Sequence, residues 1–129
     1  MSTGTLPKIH RGLGFLFLGL ALLQFFLAGL GVFGDDGYDP HLAVGSALTL
    51  ISLILVILAA IGRRESLIPS AVLFVLMLIQ TVLAHIEVTV LNALHPLNGL
   101  LILFVAHQAA RGLPLPIGDR GAGERSVAV

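Results

Sequence analysis

The chain contains no cysteine. Disulfides, thiolate metal sites, iron–sulfur ligation and covalent C-x-x-C-H haem attachment are therefore excluded, and any redox centre must use histidine. Charge is nearly as scarce. Of 129 residues only 11% are charged against 57% hydrophobic, which is not the balance of a soluble globular domain. The composition is that of a membrane protein, with the lipid bilayer as its first partner and no nucleic-acid partner expected.

What is present is four apolar runs: Arg11 to Phe33, His41 to Gly62, Leu67 to Ile86 and Pro96 to Ala110. A bilayer is spanned by about 20 apolar residues, a length the first three meet and the fourth approaches. The first run follows Lys8 and Arg11, as a secretory signal would, but its extent exceeds the roughly 7–15 residues of a signal h-region, so it reads as a mature span. The predicted fold is all-α: a polytopic four-helix membrane bundle over residues 1–112. Residues 113–129 begin Leu-Pro-Leu-Pro-Ile-Gly, lack the apolar content to fold alone, and read as a flexible cytoplasmic tail.

The few charges are sorted by loop. Lys8 and Arg11 precede the first span, Arg63 and Arg64 separate the second from the third, and Arg111, Arg120 and Arg125 follow the fourth. The other two loops hold only Asp35, Asp36, Asp39 and Glu87. By the positive-inside rule both termini face the cytoplasm of a multi-pass plasma-membrane protein. Asp39 and Pro40 are placed to cap and start the second helix, and Pro96 falls in the first turn of the fourth. The connection Glu87 to Ala93, rich in β-branched residues, shows no clear secondary structure.

Internal similarity organises the rest. Leu22-Leu23-Gln24-Phe25-Phe26-Leu27-Ala28 resembles Leu78-Ile79-Gln80-Thr81-Val82-Leu83-Ala84, and His41 follows Gln24 by 17 residues as His95 follows Gln80 by 15. The two helical hairpins thus read as a parallel repeat about an axis along the membrane normal, with His41 and His95 as partners. The glutamines lie at mid-depth, bonded to each other or to a neighbouring helix.

Each of these histidines precedes a glycine by four residues, as His41 to Gly45 and His95 to Gly99, so each imidazole stands one turn from a place with no side chain. Two imidazoles at one depth, each beside bare backbone, suit bis-histidine ligation of one b-type haem near the outer face. The competing account is that both sit in the interfacial zone and bind nothing. His85, also outer, is a candidate contact for a haem propionate, an alternative ligand, or a headgroup-facing residue. His10 and His107, at the cytoplasmic ends of the first and fourth spans, form the candidate pair for a second haem, with lipid anchoring as the alternative for His10.

These residues resemble one four-helix half of the haem A synthase family, whose halves each hold haem between histidines of the second and fourth helices. The chain is also similar to small four-helix membrane proteins with a His-Pro-x-Asn-Gly motif, here His95 to Gly99, opening the last helix. The resemblance implies haem binding, with a homodimer restoring the eight-helix arrangement. Because Asp39 stands only two residues before His41 and position 38 is tyrosine, it carries haem binding rather than oxygenase chemistry. Read together, the features indicate an electron carrier rather than an enzyme, with a quinol, a redox protein or a larger membrane complex as partner. The alternative is a haem-free accessory subunit of a respiratory complex. A small permease ranks behind both, since only Gln24 and Gln80 supply polarity at mid-depth.

Overall fold

The computed structural model describes residues 4–35 and 37–116. Helix α1 spans Thr5–Phe33 and α2 spans Asp39–Gly62; a single 3₁₀ turn, Arg64–Ser66, leads into α3, Leu67–His85; a one-turn helix α4, Thr89–Asn92, precedes α5, Leu94–Arg111. No strand occurs among the described residues. The protein is an all-α four-helix bundle of α1, α2, α3 and α5, in which each packs against its two neighbours in the order α1, α2, α3, α5 and back to α1. The diagonal pairs, α1 with α3 and α2 with α5, make no backbone approach.

The four apolar runs become the four long helices, and all four are long and apolar enough to cross a membrane. Their outward faces stay apolar: Phe26, Leu50, Ile61, Val82 and Leu100 are all exposed. That is the surface a lipid solvent requires and water penalises. Inside, Phe17, Leu55 and Leu73 are fully buried at the centre of the core.

Several boundaries differ from the sequence reading for local reasons. α1 begins at Thr5 because Lys8 and Arg11 sit on its exposed side, with the Arg11 guanidinium 5.8 Å from the Phe15 ring centroid, and so do not interrupt it. Asp39 does not cap α2; it is the first helical residue, Tyr38 holds the cap position without a side-chain bond, and the carboxylate meets the helix dipole from the first turn. The 87–93 connection, expected to be irregular, winds one turn because the Asn92 amide bonds Val88 O at 2.9 Å and its side chain reaches Ile86 O at 3.4 Å. Leu115 packs against the core, whereas the rest of the expected tail, 117–129, lies outside the described residues.

Helix α5 ends on Gly112 at φ +69°, with the Leu113 amide returning to Gln108 O at 3.0 Å, a left-handed stop that glycine accepts without strain. At the same end Gly14 lets α1 touch α5, since a Cβ there would stand 2.9 Å from the Ala110 Cβ and 3.0 Å from its Cα. Gly14→Leu is expected to destabilise the bundle by about 1–3 kcal/mol, the usual cost of overpacking. Thermal unfolding of the detergent-solubilised protein checks this, and an unchanged midpoint would show that the helices separate freely here.

Candidate haem site

Because α2 and α5 face each other across the diagonal, a space opens between their N-terminal turns. The cavity measures about 970 Å³, toward the top of the roughly 300–1,000 Å³ that holds cofactor-sized ligands. His41, His95, Gly45, Gly99, Gln24 and Gln80 all line it, with His85, Tyr38 and Asn92 also on its wall. Residues that the sequence relates by its repeat therefore surround one cavity. The glutamines do not bond each other; each reaches the histidine of its own hairpin.

His41 is held by a reciprocal pair. The Gln24 side-chain amide donates to the His41 backbone carbonyl at 3.0 Å, and the His41 ring donates from Nδ1 to the Gln24 backbone carbonyl at 3.1 Å. A carbonyl can only accept, so the proton is on Nδ1 and Nε2 carries a lone pair with no protein partner among the described residues. This is the arrangement in which a histidine presents a nitrogen to a metal. The Tyr38 ring takes the space that a Cβ at Gly31 would occupy and meets the His41 ring edge-on at 6.4 Å.

The His41 and His95 rings stand 6.1 Å apart between centroids, tilted by 55°. Two imidazoles whose nitrogens meet one ion from opposite sides stand about 6.2–6.4 Å apart between centroids, close to this separation, but here His95 Nε2 is turned to Gln80. His95 Nε2 currently faces the Gln80 amide nitrogen at 3.1 Å, while Nδ1 is buried without a partner. Side chains already occupy the space beside both glycines: a Cβ at Gly45 would lie 2.9 Å from Gln24 Nε2, and one at Gly99 3.3 Å from Phe25 Cζ and 3.7 Å from Gln80 Nε2.

His85 donates from Nδ1 to Thr81 O at 2.7 Å and remains exposed beside the cavity, free at Nε2. No group of three or more His, Cys, Asp or Glu side chains converges among the described residues.

The other sequence candidates sit at the opposite end and are not brought together. His10 is fully buried on α1, with Nε2 at 3.1 Å from Ser70 Oγ and Nδ1 at 3.2 Å from Arg63 Nη1. Guanidinium only donates, so Nδ1 accepts and Nε2 carries the proton to Ser70; neither nitrogen is free for a metal. No ring contact joins His10 to half-buried His107 among the described residues. The sequence reading missed two partnerships. Arg63 in a polar turn reads as a surface cation, and Asn98 in the His-Pro-x-Asn-Gly stretch reads as a helix-start residue, although the latter donates to Leu76 O at 3.0 Å and to Gln80 Oε1 at 2.7 Å. Neither bond has a sequence periodicity to announce it.

The chain matches no curated protein and no solved structure. Residues 24–89, half of the chain, match a family model whose description is a family of unknown function; the stretch includes Gln24, His41, Gly45, Gln80 and His85 and stops before His95. The chain carrying this cavity thus belongs to the family of unknown function DUF6220.

Proposed function

We propose that this protein is a membrane b-type cytochrome-like protein that holds one haem between His41 and His95. The observation that carries the reading is the pair of imidazoles 6.1 Å apart across the bundle diagonal, in a cavity of cofactor size. His41 would hold the iron from one side through its free Nε2, and His95 would close the other. Bound there, the haem supplies single-electron transfer. The chain's residues would orient it: Gln24 fixes the His41 ring, Gly45 and Gly99 line the cavity, and His85 and Asn92, on the same wall, would hold its propionates. The apolar bundle keeps its surroundings dry, which holds reorganisation small. The likeness to one half of haem A synthase supports the same reading.

The exposed cations Lys8, Arg11, Arg64 and Arg111 lie at the end opposite the histidine cavity, and exposed Asp35, Asp39 and Glu87 lie at the cavity end. By the positive-inside rule the termini are cytoplasmic and the haem is near the outer face of the plasma membrane. A quinol or a redox protein meets it there, and a second copy of the chain or a larger complex completes the assembly.

A pyridine haemochrome assay on protein expressed with ample haem and purified in detergent is expected to return one haem b per chain. A count of zero rejects the reading and favours the accessory subunit; two would require a site besides this cavity.

A further inference from the structure

The two repeat-related glutamines treat their histidines differently. Gln24 bonds the His41 backbone and leaves the ring's Nε2 open. Gln80 is itself fixed: Asn98 Nδ2 donates to Leu76 O and to Gln80 Oε1, which sets the amide so that its N–H side meets His95. The amide then donates to His95 Nε2 at 3.1 Å and leaves the ring proton on Nδ1, where it is buried and unpartnered. The Nε2 lone pair of His41 is open and that of His95 is already taken.

Resting on the haem reading above, we infer that Gln80 makes His95 the exchangeable axial ligand, so that the iron takes up a small neutral molecule bearing a lone pair on the His95 side while His41 stays bound. Gln80 N–H and the iron compete for one lone pair. Whenever His95 leaves the iron the amide recaptures it, and the vacated position is held open. Iron binding at Nε2 leaves the Gln80 amide without its acceptor, which weakens that side relative to His41. Among the described residues no Asp, Glu, Lys or Arg lines the cavity, which suits a neutral ligand better than an anion. Gln80 is a positioning residue here, with Asn98 as its anchor.

The test is carbon monoxide uptake by the reduced, detergent-purified full chain, followed at the Soret band in the wild type, Gln80→Leu and Leu50→Ala. Wild-type protein is expected to take up carbon monoxide by displacing His95. Gln80→Leu removes the competitor, so His95 rebinds more firmly and uptake slows about fivefold, the equivalent of one ordinary hydrogen bond. Leu50→Ala, on the exposed outer face of α2 and away from the cavity, keeps the wild-type rate; a general loosening of the bundle would speed both variants instead. Wild-type haem protein that refuses carbon monoxide, or a Gln80→Leu rate equal to wild type, overturns the inference. Absence of any Soret band before gas is added rejects the haem reading, and this inference with it.

Discussion

Arg63→Ala is expected to lose about 3–5 kcal/mol of stability and to lower the thermal midpoint by more than about 10 °C, a larger effect than any single apolar truncation on the bundle surface. Arg63 leaves α2, yet its guanidinium is buried and ties together three other parts of the chain. Nη1 donates to His10 Nδ1 of α1 at 3.2 Å and to Ala110 O near the end of α5 at 2.9 Å, and Nε pairs with Glu65 at 3.2 Å. His10 passes the network on to Ser70 of α3. Removing the guanidinium strands a ring nitrogen and a carbonyl away from water, each at about 1–3 kcal/mol. The Glu65 pair adds little to this, because its carboxylate side chain is 60% exposed and screened.

The same end explains why Gly112 has no side chain. A Cβ there would stand 2.8 Å from Arg63 Nη2, so the glycine both turns the chain and admits the guanidinium. Arg63→Lys keeps a charge but loses the planar fork, and it is expected to fall between wild type and alanine. His10→Leu combined with Arg63→Ala should cost less than the sum of the two, since both remove the same bond. Chemical or thermal unfolding in detergent decides this, and an Arg63→Ala loss below about 1 kcal/mol would show that water or lipid headgroups replace the network.

The contrast between the two ends says what a sequence can reveal. The helices were legible because lipid-facing and core-facing positions are both apolar here, so each span is an uninterrupted run whatever its rotation. The pairing of His41 with His95 was legible because the repeat carries glutamine, histidine and glycine in the same order in each hairpin. Which atoms those glutamines touch was not: Gln24 and Gln80 occupy corresponding places, yet one bonds a backbone carbonyl and the other a ring. That difference follows from Asn98, which has no counterpart bonded to Gln24. Arg63 was illegible for another reason. Charge in a short turn points to water unless a buried acceptor on another helix claims it, and His10 makes that claim from 53 residues away.

The proposed haem site predicts an equally large change of a different kind. His41 offers the free nitrogen, so His41→Ala should strip most of the haem; His95→Ala should leave any retained haem without its second imidazole and convert it from low to high spin. Neither substitution touches the Arg63 network at the far end, so the fold should survive both.

The decisive experiment is a reduced-minus-oxidised visible spectrum of the detergent-purified full chain, wild type beside His41→Ala and His95→Ala. The expected result is a sharp low-spin b-type band in the wild type that disappears in each variant while the helical circular dichroism is kept. A wild-type spectrum with no Soret band, or a band unchanged by both substitutions, would contradict it.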